Sequence, residues 1–198
     1  PNAIPTLLAL HNIKFKERIR DQNKINFIIG GSSKYFKFGD ATIQKIYEEI
    51  LFLSNNYLVK IIPSRRTPIK FIKNLKKMNL KNVSIFEDQF NPTEYGNLLS
   101  EANTQIVTWD SISMISEAIS SGTKTLIFPF EEKKCPKRYK DFYNNILEEN
   151  FISFYNRDLK APTPNLTEYN NELKSKILNK IESNLWFKTD APQGFNTK

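Results

Sequence analysis

The chain alternates short, continuously apolar segments with amphipathic segments, and this alternation constrains its fold more than any other feature. Helical patterns separate the apolar segments, which are the predicted strands. The predicted strands lie at 25–30, 56–64, 82–88, 104–110 and 123–130. Strands that are apolar along their whole length are typical of parallel sheets covered on both faces. The chain is therefore predicted to be an α/β protein with a doubly wound, Rossmann-like parallel sheet.

The segments between the strands show the apolar spacing of helices that pack on a sheet. In the first of them Ile43, Ile46 and Ile50 share one face. Helices are predicted over 41–55, 67–79, 91–102, 111–122, 136–150 and 166–185. We accordingly expect three parts: a linker or entry segment over 1–24, a Rossmann-like domain over 25–156, and a tail with a helix over 157–198.

Composition narrows the classes of function. The 198 residues carry a net charge of +8, but the lysines are scattered and no nucleic-acid-binding motif accompanies them, so no specific nucleic acid is expected as a partner. His11 and Cys135 are each alone, which excludes an internal disulfide and leaves no metal cluster, so neither a metal nor a cofactor is predicted. No apolar run approaches the ~18 residues that cross a bilayer, and no signal peptide is visible. A cytoplasmic location is expected, with peripheral contact with a membrane as a further prediction.

Three segments that follow predicted strands carry residues suited to a ligand, because ligands of parallel sheets bind beyond the carboxyl ends of the strands. The first segment has glycines whose backbone can approach an anion, serines that can donate to it and a lysine that adds charge. These residues are Gly30, Gly31, Ser32, Ser33 and Lys34. Their spacing is neither that of a P-loop nor G-x-G-x-x-G. A structural turn leaving a buried strand explains the segment equally well.

The second segment contains Ser64, Arg65, Arg66 and Thr67. Adjacent arginines at a strand-to-helix turn are suited to bidentate recognition of phosphate. A solvated basic turn is the alternative interpretation. The strand does not end in an acidic residue, which argues against the usual ribose contact of NAD and leaves NADP open.

The third segment contains Asp110, Ser111, Ser113, Met114 and Glu117. Asp110 or Ser111 can cap a helix whose free amides and dipole favour an anion. Ser113 and Glu117 share one helix face, so Ser113 can meet a phosphate while Glu117 accepts from ribose hydroxyls. Ordinary capping, with Met114 in the core, is the alternative. Together the three segments predict a pocket for a nucleoside diphosphate or its sugar conjugate. None of these groups is an evident general base for an acceptor, and Asp110 is the one candidate for that role.

Several stretches resemble the mitochondrial fission (elongated-mitochondria) family, whose bacterial members are often described as nucleoside-diphosphate-sugar epimerase-like. In chain order they are IIGGSSKYFKF, IPSRRTP, NPTEYGNLL, VTWDSISMISEAISSGTKTLIFPF and KRYKDFYNNIL. The resemblance extends from about residue 2 to about residue 159. That family is similar to GT-B glycosyltransferases, which have two Rossmann-like lobes. The resemblance implies that residues 25–156 are the C-terminal, donor-binding lobe, with a nucleotide sugar as ligand.

The resemblance also implies roles for single residues. Ser111 and Ser113 are expected near the diphosphate and Glu117 near the ribose. The expected cleft-lining residues are Gly30, Gly31, Ser33, Arg65 and Arg66. The stretch NAIPTLLALHNI resembles the hinge from an N-terminal lobe that binds the acceptor, so the lobe alone is not expected to turn over. The second hypothesis is a non-catalytic adaptor that keeps the fold and recruits partners.

Overall fold

The chain folds around a parallel sheet of six strands with helices on both faces. The computed structural model describes residue 4 and residues 6–16, 19–87 and 91–189, with side chains described through residue 182. In chain order the described elements are β1 (Asp21–Ile29), α1 (Asp40–Ser54), β2 (Leu58–Pro63), α2 (Ile69–Lys77), β3 (Val83–Ile85), α3 (Pro92–Glu101), β4 (Ala102–Thr108), α4 (Ile112–Ser120), β5 (Lys124–Phe128), α5 (Lys137–Glu148), β6 (Ser153–Phe154) and α6 (Leu166–Thr189). Residues Leu7–Pro164 form one compact unit, and α6 belongs to a second one.

The strand order is β3-β2-β1-β4-β5-β6, and every neighbouring pair is parallel. The order reverses between β1 and β4. Right-handed crossovers therefore place α1 and α2 on one face of the sheet and α3, α4 and α5 on the other. In such sheets ligands bind in the crevice where the order reverses. The predicted doubly wound α/β fold is confirmed.

Residues of the central strand alternate between the two faces of the sheet. Phe27 and Ile29 are fully buried in the cluster that packs under α1 and α2. Asn26, on the opposite face, donates through Nδ2 to the Leu98 carbonyl of α3 at 2.9 Å. Burial on both faces explains why the strands are apolar throughout, since burying each large apolar side chain contributes about 1.5–3 kcal/mol.

The sheet differs from the sequence prediction at its margins. β1 begins at Asp21, earlier than predicted, because a register shift between Asp21 and Ile25 lets polar residues join the ladder. A sixth strand, Ser153–Phe154, pairs with β5. Two residues are too few to show a strand period in the sequence. The strand predicted over 82–88 is β3, which spans only Val83–Ile85. Residue 88, the last of the predicted strand, lies outside the described residues.

Residues 7–16 lie against α3 and α4 within the compact unit Leu7–Pro164. The Ala9 amide donates to Ser116 Oγ at 2.9 Å. A Cβ at Gly96 would lie 2.4 Å from the Lys14 carbonyl oxygen, so the glycine lets the segment touch α3 backbone to backbone. This contact places residues 12 and 13 beside the carboxyl edge of the sheet.

The helix predicted over 166–185 is confirmed as α6, which extends to Thr189. Asn165 caps it: its Oδ1 accepts from the Glu168 amide at 3.3 Å, and its Nδ2 donates to Glu168 Oε2 at 2.8 Å. Among the described residues, none of the helices is both long enough and apolar enough to span a bilayer.

Candidate functional site

A cleft of about 770 Å³ opens at the carboxyl edge of the sheet, on the face that carries α3 and α4. Its apolar lining includes Ile28 of β1, Ile62 of β2 and Phe86, which follows β3. Its polar lining comes from the turn after β2, the first turn of α3, the first two turns of α4, and residue 12. Apolar walls with a few convergent polar groups are typical of ligand sites.

Half of the predicted ligand-binding residues line this cleft: Ser64, Arg65, Arg66, Ser111, Ser113, Met114 and Glu117. They come from the second and third predicted segments. These segments meet because β2 and β4 flank β1 and all three strands end at the same edge. The other predicted residues lie outside the described lining: Gly30, Gly31, Ser32, Ser33, Lys34, Thr67 and Asp110.

The two glycines pack loops together instead of presenting amides to the cleft. The Gly30 amide donates to Thr108 Oγ1 at 2.7 Å, and the Gly31 amide donates to Asp110 Oδ2 at 3.2 Å. A Cβ on Gly30 would lie 2.1 Å from either carboxylate oxygen of Asp110, and one on Gly31 would lie 2.0 Å from the Arg66 carbonyl oxygen. Close approach of neighbouring loops therefore requires the glycines, and both amides already have acceptors within the protein. Binding of an anion by these amides stays a prediction.

The two serines and the lysine of the first segment organise their own loop. Ser33 Oγ accepts from the Tyr35 amide at 3.2 Å, and Ser32 Oγ accepts from the Phe38 amide at 3.0 Å. Lys34 Nζ lies 5.8 Å from the centroid of the Tyr35 ring. An antiparallel bridge then joins this loop to the one after β5. The bridge directs the segment towards β5 and away from the cleft.

Asp110 ties the strand ends together. Its Oδ1 accepts from Thr108 Oγ1 at 2.7 Å, and its Oδ2 accepts from the Gly31 amide and lies 2.6 Å from Arg66 Nη2. Burial raises the pKa of Asp110, while the Thr108 hydroxyl and the Arg66 charge act in the opposite direction. The side chain has no exposed surface, and both oxygens are engaged. These contacts give Asp110 a structural role, and its role as a candidate general base stays a prediction.

The two arginines differ in the contacts that their side chains make within the protein. Arg66 pairs with Asp110 and donates through Nη1 to the Gly31 carbonyl at 3.3 Å, although 36% of its side chain is exposed. Arg65 is exposed, and no hydrogen bond or ion pair joins it to another described residue. Thr67 Oγ1 donates to the Ile29 carbonyl at 2.6 Å and so holds the turn that carries both arginines. Arg65 is the side chain best placed to meet a phosphate.

The first turn of α4 borders the cleft at the point where the strand order reverses. Ser111 is the N-cap, and its Oγ accepts from the Met114 amide at 3.4 Å. Ser113 is exposed and lines the cleft. The first amides of a helix have no partner within the helix, and the dipole favours an anion there. This end of α4 can therefore receive a phosphate.

Glu117 lies one turn further along α4 and contacts Tyr95, a residue that sequence reasoning missed. The Tyr95 hydroxyl donates to Glu117 Oε2 at 3.0 Å. Burial raises the pKa of Glu117, and donation from Tyr95 lowers it. Burial and the neighbouring carboxylate together raise the pKa of Tyr95 well above its usual range. The only sign of a role for Tyr95 in the sequence was its position in NPTEYGNLL, one of the stretches that resemble the mitochondrial fission family.

The family of the chain follows from comparison with known proteins. The family model described as Mitochondrial fission ELM1 matches residues 1–177. The chain belongs to this family. An uncharacterized protein of Rickettsia prowazekii (strain Madrid E) is 33% identical over 146 residues, which cover 67% of the ELM1-family chain and 38% of that protein. The chain thus spans less than half the length of this curated relative.

The match confirms the resemblance to the mitochondrial fission family that was drawn from the sequence. It covers the whole described lining of the cleft, from residue 12 to residue 117. Within the described part of this ELM1-family chain, no group of three or more His, Cys, Asp or Glu side chains is arranged to hold a metal ion. Peripheral contact with a membrane stays a prediction.

Proposed function

We propose that the cleft binds a nucleoside diphosphate or a nucleotide sugar, and that the chain is the donor-binding lobe of a GT-B-like glycosyltransferase or an epimerase-like protein. One observation carries the proposal: Arg65, Ser113 and Glu117 converge on a single cleft beside the reversal in strand order. Arg65 follows β2, whereas Ser113 and Glu117 lie one turn apart on α4 after β4. Tertiary structure therefore brings an exposed cation to a helix that offers both its N-terminus and a carboxylate.

The spacing of these groups supports a nucleotide as the ligand. Ser113 and Glu117 are one helical turn apart, a rise of about 6 Å along α4. A diphosphate at the helix N-terminus and Arg65 would leave the ribose within reach of Glu117. The apolar side chains of Ile62 and Phe86 line the same cleft and suit a planar base.

In a transfer reaction, this lobe would act through charge. Arg65 and the first amides of α4 would stabilise the negative charge that develops on the departing diphosphate. Asp110 is buried, so no proton transfer is assigned to it. An acceptor site is proposed for a preceding lobe, by resemblance to GT-B proteins.

A thermal-shift screen tests the proposal on the 198-residue chain. The panel contains UDP, GDP, ADP, CDP, dTDP, NADP and several nucleotide sugars, with tripolyphosphate as a bare polyanion. A ligand at 100 times its Kd stabilises by about 2.7 kcal/mol, which raises Tm measurably. A selective shift with one nucleoside diphosphate supports the proposal. An equal shift with tripolyphosphate contradicts it, and no shift with any compound favours the adaptor hypothesis.

Replacing Glu117 with glutamine is expected to weaken the binding of the selected nucleotide about tenfold, because hydrogen bonds to a charged group contribute about 1.5–3 kcal/mol. Isothermal titration calorimetry measures the change. Glu149→Gln, at an exposed position after α5, is the matched control and should bind as the parent does. If Glu117→Gln binds the nucleotide as tightly as the parent does, Glu117 does not contact the ribose.

A further inference from the structure

We propose that Tyr95 is a positioning residue that holds Glu117 as an acceptor-only carboxylate, so that the cleft selects ribonucleotides over their 2′-deoxy counterparts. The inference rests on the proposed function and extends it from the class of ligand to the sugar that is recognised. The observation behind it is the 3.0 Å hydrogen bond from the Tyr95 hydroxyl to Glu117 Oε2 inside the cleft lining.

The start of α3 fixes the position of Tyr95. Asn91 is the N-cap, and its Oδ1 accepts from the amides of Thr93 and Glu94 at 3.1 and 3.2 Å. Pro92 occupies the first turn, where its fixed φ suits the helix. The Tyr95 amide then donates to the Asn91 carbonyl at 3.0 Å. The side chain of Tyr95 therefore projects from a well-defined first turn of α3.

The neighbours of the pair fix the distance between the two helices. Gly96 follows Tyr95 and contacts the Lys14 carbonyl, where a Cβ would lie at 2.4 Å. Ser116 precedes Glu117 and accepts from the Ala9 amide at 2.9 Å. Residues 7–16 therefore bridge α3 and α4 beside the pair. The hydrogen bond is held in place by packing, as a preorganised site requires.

The hydrogen bond leaves a defined part of the carboxylate for a ligand. Burial and the neighbouring carboxylate keep the Tyr95 phenol protonated, so its hydroxyl donates to Glu117 Oε2 whenever Glu117 is ionised. The second oxygen, Oε1, and the remaining lone pair of Oε2 can accept from neighbouring hydroxyls. The other charged residues of the described lining are Arg65 and Arg66. A site built to accept from hydroxyls discriminates against an analogue that lacks one, because a buried acceptor is then left unpaired.

The test compares Tyr95→Phe with the parent and with Tyr57→Phe. Tyr57 precedes β2, lies outside the described lining, and its hydroxyl makes no hydrogen bond to another described residue. The probes are ADP, UDP, GDP and CDP with their 2′-deoxy forms, and titration calorimetry gives each Kd. We expect the parent and Tyr57→Phe to prefer at least one ribonucleotide by about tenfold. We expect Tyr95→Phe to reduce that preference to less than about threefold, chiefly because it binds the ribonucleotide more weakly. An unchanged preference in Tyr95→Phe, or equal weakening of both forms, overturns the inference.

A second measurement needs no ligand. NMR of protein labelled with ¹³C at the glutamate carboxyl groups follows the titration of Glu117, which is assigned with Glu117→Gln. Removing the donor is expected to raise the pKa of Glu117 in Tyr95→Phe but not in Tyr57→Phe. The same pKa in parent and Tyr95→Phe overturns the positioning role. If the parent binds none of the nucleotides, the proposed function and the sugar selectivity both fail, while the titration still decides whether Tyr95 controls Glu117.

Discussion

Replacing Gly31 with alanine is expected to lower the free energy of unfolding by about 3 kcal/mol or more, the upper range for overpacked sites. The added Cβ would lie 2.0 Å from the Arg66 carbonyl oxygen and 2.5 Å from its carbonyl carbon. Both are backbone atoms, so no side chain can rotate away to make room. The turn after β2 must move instead, and Arg66 would move with it. Urea unfolding followed by circular dichroism measures the change.

Gly39→Ala is the matched control for this substitution. Gly39 is the N-cap of α1, and its added Cβ would meet only the flexible Lys37 side chain, at 3.5 Å. Alanine is a poorer N-cap than glycine, so a loss below about 1 kcal/mol is expected. Equal losses in the two variants would show that the contact between Gly31 and Arg66 does not constrain this edge of the sheet.

Replacing Asp110 with alanine is expected to cost about 2–6 kcal/mol, because each of two buried donors left without its acceptor costs about 1–3 kcal/mol. The substitution leaves the Gly31 amide and the Thr108 hydroxyl without their acceptor and Arg66 without its counter-ion. It disconnects the ends of β1, β2 and β4 at once. The same urea unfolding assay measures the loss.

Asp141→Ala, at an exposed position on α5, is the control and should stay within about 0.5 kcal/mol of the parent. A double-mutant cycle with Arg66→Ala isolates the ion pair, and contacting residues show interaction energies of about 0.5–3 kcal/mol. Additive losses in the cycle would contradict the coupling between Asp110 and Arg66.

The fold was predictable because strands that are buried on both faces of the sheet have continuously apolar sequences. The positions of Arg65, Ser113 and Glu117 were predictable for a related reason. Arg65 and Ser113 come soon after parallel strands, Glu117 lies one helical turn beyond Ser113, and parallel strands end at one edge. Knowing where the strands end was therefore enough to bring these residues together.

The rest of the site depends on contacts between segments distant in the chain. The direction of the Gly30 amide is set by Thr108, 78 residues away, so the sequence could not distinguish an anion-binding turn from a packed one. Tyr95 reaches the cleft only because α3 packs beside α4, and Asn12 only because residues 7–16 dock on both helices. Neither docking leaves a periodic pattern in the sequence.

We propose that a nucleoside diphosphate binds where the turn after β2 meets the start of α4. Backbone amide NMR spectra of the ¹⁵N-labelled chain, titrated in turn with ADP, UDP, GDP, CDP and tripolyphosphate, test it most directly. We expect saturable shifts of the Arg65, Ser113 and Glu117 amide signals with one nucleoside diphosphate, while the amide signals of Leu58 and Lys81 at the opposite edge of the sheet do not change. Shifts spread over exposed lysines, or the same cleft shifts with tripolyphosphate, would contradict it.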